Sequence, residues 1–378
     1  MGELSGMSLS FRNQAVRGIT FEPDCCNRVC RVQKACGLSD GGARVCDRRI
    51  STLQRCATGV LLFSAALYGG FLVGCAYITA SPGIYLAVPF DDRPGHWNEC
   101  SLDMSFDGRV WSNVRAPLYT APSPALCRNA SLFKLGSTYL MTYSSFLPSG
   151  SITGQSTSFG LASGSDPLHL THLTEVSLAS CCMGVETASP IMDEAGELHV
   201  IVDAWVGQES GELKLLEVHN DSCTFADPSG CGSGWSDPVG LQCTTKLGCG
   251  NPDGSIRALD PSMFSMGGEY YLIAGGGAII QFTPSSSILG PFGPLSTLVP
   301  ANAEASSAFQ VGPNAWRNVY IDTADYQPYY VETNNLASGV WGSPVPLAVP
   351  PAHSDSWGTT RFSDLETMRS ILGDGYHP

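Results

Sequence analysis

Beyond about residue 110 this chain repeats itself. A small or acidic residue, in most copies followed by Pro, opens a short apolar strand; a Gly-bearing turn and a second strand rich in Tyr, Leu and Val follow. The first copy covers Ser123–Cys127 and Leu135–Tyr143, the second Ser189–Met192 and Leu198–Val202, the third Asp260–Phe264 and Glu269–Gly275. The fourth covers Glu304–Phe309 and Asn318–Asp322, and a degenerate fifth starts near Ser356–Phe362. Helical periodicity is almost absent, while β-branched and aromatic runs broken by Gly, Pro, Ser and Asn specify strands and tight turns. A repeat of about 45–70 residues holding about four strands is a propeller blade. The sequence therefore predicts an all-β, five-bladed β-propeller over residues 111–378, with a β-sandwich as the competing arrangement. In a propeller the residues that open each unit converge at the mouth of the central channel.

An uncharged stretch divides the chain. No Asp, Glu, Lys or Arg occurs between Arg55 and Asp91, and the most apolar part, residues 57–80, is long enough to cross a hydrocarbon core of about 30 Å. A cleaved signal peptide begins closer to the N-terminus and has a shorter apolar region, so residues 57–80 read as a transmembrane signal-anchor helix. Residues 1–56 carry nine Lys/Arg against five Asp/Glu, with Arg44, Arg48, Arg49 and Arg55 near the membrane edge. The positive-inside rule then places a short cytosolic tail at residues 1–56 and everything after the anchor in a lumen or outside the cell, a single-pass type II topology. Residues 81–110 read as a stalk or linker.

Cysteine usage agrees with that topology. Eight of the fifteen Cys lie beyond the anchor, an even number suited to an oxidising compartment. Cys223, Cys231, Cys243 and Cys249 share one Gly-rich insertion and read as two disulfides, whereas the adjacent Cys181 and Cys182 are expected to find separate partners or stay free. Two acceptor sequons, at Asn129 and Asn220, would be accessible to glycosylation. The tail's six Cys have no His among them and no zinc-like spacing; a disordered tail with acylation at Cys56 is the simpler expectation. A net charge of −14 excludes nucleic acid as a partner, and the Gly runs lack phosphate-cradling spacing.

The third unit, Asp260-Pro261-Ser262-Met263-Phe264 followed by Gly-Glu-Tyr-Tyr-Leu, closely resembles a blade signature of glycoside hydrolase family 43, the five-bladed arabinanases, arabinofuranosidases and β-xylosidases. Leu289–Phe292 and Leu336–Trp341 resemble the blade-end turns of that family. The resemblance spans roughly residues 115–365 and implies hydrolysis of O-glycosyl bonds in a glycan, such as pentose-containing arabinan or xylan, by carboxylates about 6.5–9.5 Å apart. It makes Glu304, which opens the fourth unit, the general acid, and Asp260 the carboxylate that tunes and orients it. The family's general base is the Asp of a first-blade Asp-Pro pair, where this chain has Ser123-Pro124. A serine needs its own base to accept a proton. Three alternatives follow: another carboxylate, with Asp103 and Asp107 nearest upstream, supplies the base; Ser123 binds a different sugar; or the protein is a catalytically inactive, glycan-binding relative. Glu186, His353 and Trp357 are candidate substrate-binding residues, and Trp205, Trp235 and Trp316 are either sugar platforms or packing. No cofactor and no metal ligand set is read from the sequence; the resemblance admits a structural Ca²⁺ with no residue cluster behind it.

Overall fold

The structure is a computed structural model that describes residues 83–90, 95–122, 125–144, 156–206, 212–244, 249, 259–350, 358–362 and 365–373. The expected tail and anchor helix, residues 1–56 and 57–80, lie outside the described residues. Among the described residues no helix is long and apolar enough to cross a membrane. Among the described residues the fold is all-β but for short 3-10 turns and the helix α1 (Leu365–Leu372). In chain order the strands are β1 (Ile84–Ala87), β2 (Glu99–Ser105), β3 (Ser112–Thr120), β4 (Arg128–Leu135), β5 (Thr138–Ser144), β6 (Ser158–Gly164) and β7 (Thr171–Ser177). They continue with β8 (Cys182–Met192), β9 (Glu197–Val206), β10 (Glu212–Thr224), β11 (Val239–Gly240), β12 (Ser262–Met266), β13 (Glu269–Ala274) and β14 (Gly277–Phe282). The last five are β15 (Pro294–Gly312), β16 (Ala315–Asp322), β17 (Gln327–Thr333), β18 (Val345–Pro346) and β19 (Thr359–Phe362).

These strands form three four-stranded sheets, β19-β1-β2-β3, β4-β5-β6-β7 and β8 to β11, and a seven-stranded one from β12 to β18. The seven-stranded sheet is two units sharing a strand. The first half of β15 pairs with β14 from Pro294 to Ala303, and the second half pairs with β16 from Ala303 to Gly312. Left-handed backbone at Asn302 (φ 55°) and Ala305 (φ 57°) marks the hand-over. Five four-stranded antiparallel units result. Tight turns connect their strands: Gly267 and Gly268, both at positive φ, make the two-residue link between β12 and β13 that only Gly adopts without cost.

Why the strands lose the usual apolar–polar alternation is clearest in β9. A strand covered on both faces must be apolar at every step. The even-numbered Leu198, Val200, Val202 and Ala204 enter one core with Leu140, Phe159 and Val218, while the odd-numbered Ile201 enters the next with Leu215, Met263 and Leu272. Successive side chains of a strand point to opposite faces, so one strand feeds two cores. Among the described residues, cores of this kind join each unit to its neighbour. The last of them joins Phe309, Val319 and Tyr330 of the fifth unit to Tyr85, Ala87 and Trp111 of the first, so the ring closes.

Closure corrects two expectations. Residues 81–110 are not a stalk: β1 and β2 lie within them and pack into the ring. The degenerate fifth copy of the repeat is not a unit contained in the C-terminal segment either; β19 supplies only the inner strand of the first unit, pairing Ile84 with Phe362 and Ala87 with Thr359, and β1 to β3 complete it. A circular sheet array gains by letting the two chain ends share one unit, because each end then holds the other in register. A disulfide from Cys100 on β2 to Cys127 before β4 fastens the first unit to the second. The expected pair of staples is present as Cys223–Cys231 and Cys243–Cys249. Cys181 and Cys182 pair with each other, contrary to the sequence expectation. Both their N–H groups donate to the carbonyl of Leu178, at 3.1 and 3.0 Å, folding them into a tight turn that brings the two thiols together.

Candidate functional site

All five units contribute to one open cleft of about 340 Å³: β4 brings Asn129 and Ser131, β8 Thr187 and Ser189, β12 Ser262 with Asp260 and Pro261 ahead of it, β15 Ala305 to Ser307, and the turn into β19 Gly358. The lining is mostly hydroxyls and one amide, and Asp260 is the single carboxylate among the described lining residues. Asp260 sits in left-handed backbone (φ 46°), a conformation a short polar side chain tolerates better than most. Its surroundings hold it there. Its Oδ1 accepts from Thr187 Oγ1 at 2.6 Å and Asn129 Nδ2 at 3.0 Å, and its Oδ2 accepts the backbone N–H of Ala305 at 2.8 Å. Three units thus meet on one carboxylate.

Beneath it lies Asp203 of β9, fully buried. Its Oδ1 accepts the N–H of Thr187 at 2.5 Å and its Oδ2 accepts the N–H of Asp260 at 2.9 Å. Burial pushes the Asp203 carboxyl well above the usual carboxylate range, and the charges of Asp260 and Glu186 add to the rise. Sequence reading missed Asp203 although a signal was present. It interrupts the run Leu198–Ala204, and a carboxylate in a strand buried on both faces must have fixed partners.

The fold is similar to that of solved structures. The chain aligns with the GH43_1 enzyme from Xanthomonas citri, complexed with xylotriose, at a TM-score of 0.51 and 13% identity, over 72% of this chain and 86% of that one. This chain has a family-43-like propeller fold. An α-L-arabinofuranosidase from Clostridium thermocellum ATCC 27405 aligns at a TM-score of 0.48 and 11% identity, over 71% of this chain and 91% of that one. A family 117 glycoside hydrolase from Zobellia galactanivorans aligns at 0.45 and 12%, over 61% and 74%. No protein-family model and no curated protein matches the sequence.

Within this family-43-like ring the candidate residues fall as follows. Asp260 is in the cleft. Glu304 is half-buried on β15, one residue before the Ala305 N–H that binds Asp260; the cleft wall itself begins at Ala305. Glu186 precedes Thr187 on β8, and its carbonyl accepts from Asn129 Nδ2 at 3.5 Å. The two upstream candidates for the base are elsewhere. Asp103 is buried on β2 and takes a hydrogen bond of 3.0 Å from Asn113 Nδ2; two strand spacings, roughly 9–10 Å, separate β2 from β19. Asp107 caps a turn, its Oδ1 accepting the N–H groups of Arg109 (2.8 Å) and Val110 (3.1 Å). Burial alone would raise the Asp107 carboxyl, but those N–H groups, Ser105 and Arg317 hold it below the ordinary value. Neither Asp103 nor Asp107 lines the cleft, because the first unit offers only its inner strand β19 to the channel. Ser123, His353 and Trp357 lie outside the described residues. Trp316 and Trp235 are packing residues: Trp316 stacks on Phe264 with centroids 4.2 Å apart, and Trp235 meets Phe159 edge-on.

The sequons require a correction too. Asn129 Nδ2 faces into the cleft network, and fully buried Asn220 donates to the carbonyls of Gly230 (3.1 Å) and Ser233 (2.7 Å). Neither amide nitrogen can carry a sugar without losing those bonds. Protein secreted from a eukaryotic host is therefore expected to show no mobility change after peptide-N-glycosidase treatment; a shift that Asn129→Gln or Asn220→Gln removes would contradict this placement.

Proposed function

We propose that the cleft holds a sugar and that the protein hydrolyses an O-glycosyl bond of a glycan, with Glu304 as proton donor and Asp260 as the carboxylate that orients it. One observation supports the reading: Asp260, which opens the third copy of the repeat, accepts the N–H of Ala305, the residue directly after Glu304, which opens the fourth. A lining of Ser, Thr and Asn offers both donors and acceptors to sugar hydroxyls, and the fold is one in which such sites occur. A separation that admits a water between acid and base gives inversion at the anomeric carbon. A pentose-containing glycan is the substrate class we favour. We place the domain in the secretory lumen or outside the cell, behind a type II anchor, a placement supported by the four disulfides among the described residues.

A second reading has its own support. The residues that β4 contributes to the cleft are Asn129 and Ser131, and a base expected from that unit is not among the described lining residues. This favours a propeller that binds a glycan without cleaving it. The compact unit Ile78–Pro378, secreted so that its disulfides form, separates the two. Against nitrophenyl arabinosides, xylosides and galactosides, hydrolysis is expected to fall about 10²–10⁴-fold in Glu304→Gln and in Asp260→Asn. Turnover indifferent to both substitutions sinks the assignment, and glycan binding without turnover establishes the second reading.

A further inference from the structure

The hairpin between β8 and β9 reads Asp193-Glu194-Ala195-Gly196-Glu197-Leu198-His199. Gly196 at φ 83° closes it, and Asp193 Oδ1 accepts the N–H of Glu197 at 2.8 Å. The turn brings one ligand atom each of Asp193, Glu197 and His199 within 4.8 Å of one another. His199 is 8% exposed, and its Nδ1 lies 2.6 Å from Oε1 of Glu217, itself 2% exposed. Since a carboxylate only accepts, Nδ1 carries a proton, and in the neutral imidazole Nε2 keeps a lone pair. That Nε2 is buried without a hydrogen-bond partner and faces Asp193 Oδ2 at 3.7 Å. A lone pair aimed at a carboxylate inside a protein is repulsive unless a proton or a metal cation lies between them. The carboxylates of Asp193 and Glu197 beside Nε2 attract a cation there.

The other side of the ring completes the pattern. Metal-bound imidazoles almost always give their second N–H to a carboxylate or carbonyl, which fixes tautomer and orientation. Glu217 takes that part, and is itself steadied by His219 Nδ1 at 3.0 Å. The site is separate from the cleft: His199 and Asp203 are four residues apart on β9, roughly 13 Å at the usual rise per residue.

We propose that His199 Nε2, Asp193 and Glu197 bind a divalent metal of the manganese–zinc class, with water completing its coordination and Glu217 orienting the imidazole. One imidazole with two carboxylates suits these ions. The bound ion clamps the hairpin from which β8 runs back to the cleft.

The test titrates the chelator-stripped full-length chain, purified in detergent, with Mn²⁺ and follows loss of the free-ion EPR signal. Mn²⁺ is the probe because the thiols of the tail prefer softer ions. One hairpin-dependent equivalent is expected, with affinity reduced tenfold or more in Asp193→Asn/Glu197→Gln and about 10–100-fold in Glu217→Gln. Asp193 and Glu197 are partly exposed, so the double variant should fold; Glu197→Gln alone serves if it does not. Binding that survives in the hairpin variants overturns the proposal. So does binding lost in His219→Gln but kept in Asp193→Asn/Glu197→Gln, which would put the ion on the Nδ1 side.

Discussion

Asp203→Asn is expected to destabilise the protein by about 2–4 kcal/mol although the two side chains have the same shape. Both oxygens of Asp203 accept buried N–H groups, from Thr187 and from Asp260. An asparagine has one acceptor, so one N–H would face an NH₂ donor and stay unsatisfied, at about 1–3 kcal/mol, with the lost bond and strain added. The backbone of Asp260 loses its anchor in left-handed conformation, so activity or glycan binding should fall with stability. The pH dependence gives a second signature. The folded-state pKa of Asp203 is raised, so its protonation stabilises the fold fully below the unfolded value of about 3.9 and that contribution is lost as pH rises toward the folded value. The slope contributed by this group is at most about 1.4 kcal/mol per pH unit. Urea unfolding of both proteins across pH 4–8 should show the gap between them narrowing as pH rises. Equal midpoints at every pH would mean that Asp203 holds nothing.

Arg317→Met should be comparably damaging, for a reason that belongs to ring closure. The Arg317 side chain is 2% exposed; its Nη1 donates to the carbonyl of Asp107 at 2.7 Å, and its Nε and Nη2 both donate to Glu332 Oε1. It also lies over the Tyr330 ring, 4.6 Å from the centroid. It thereby ties the fifth unit, β16 and β17, to the turn after β2 in the first. Removing one partner of a buried pair costs about 3–5 kcal/mol. Glu332 is 36% exposed and keeps Arg109 at 3.1 Å, so the lower end, about 3 kcal/mol, is expected. At roughly 2–4 °C per kcal/mol for a domain of this size, Tm should drop by about 6–12 °C. Burial alone would raise the Glu332 carboxyl, but Arg317 and Arg109 hold it low. The pair therefore stabilises above the unfolded glutamate value of about 4.3 and fades as pH falls through the folded one. In Arg317→Met that acid-side loss should shrink, and an unchanged Tm would remove Arg317 from the seam.

What was legible in the sequence was local. Strands, their Gly turns and the small or acidic openers follow from φ/ψ sterics and the two-residue side-chain period, which act within a few residues. Four repeat units, the two staples around Cys223–Cys249 and the place of Asp260 on the channel could be read for that reason. Residues 81–110 could not, because the pairing of Ile84 with Phe362 leaves no mark near either residue. The vicinal disulfide at Cys181 was hidden in the same way, since a turn around Leu178 brings the thiols together. The cleft depended most on the tertiary structure. Asn129 read as a glycosylation site and Asp203 drew no reading at all, because a buried carboxylate is defined by the donors around it rather than by its neighbours in the chain. Local sterics settled which segments are strands, and the energetic demand that every buried polar group find a partner across the ring settled what those strands jointly hold.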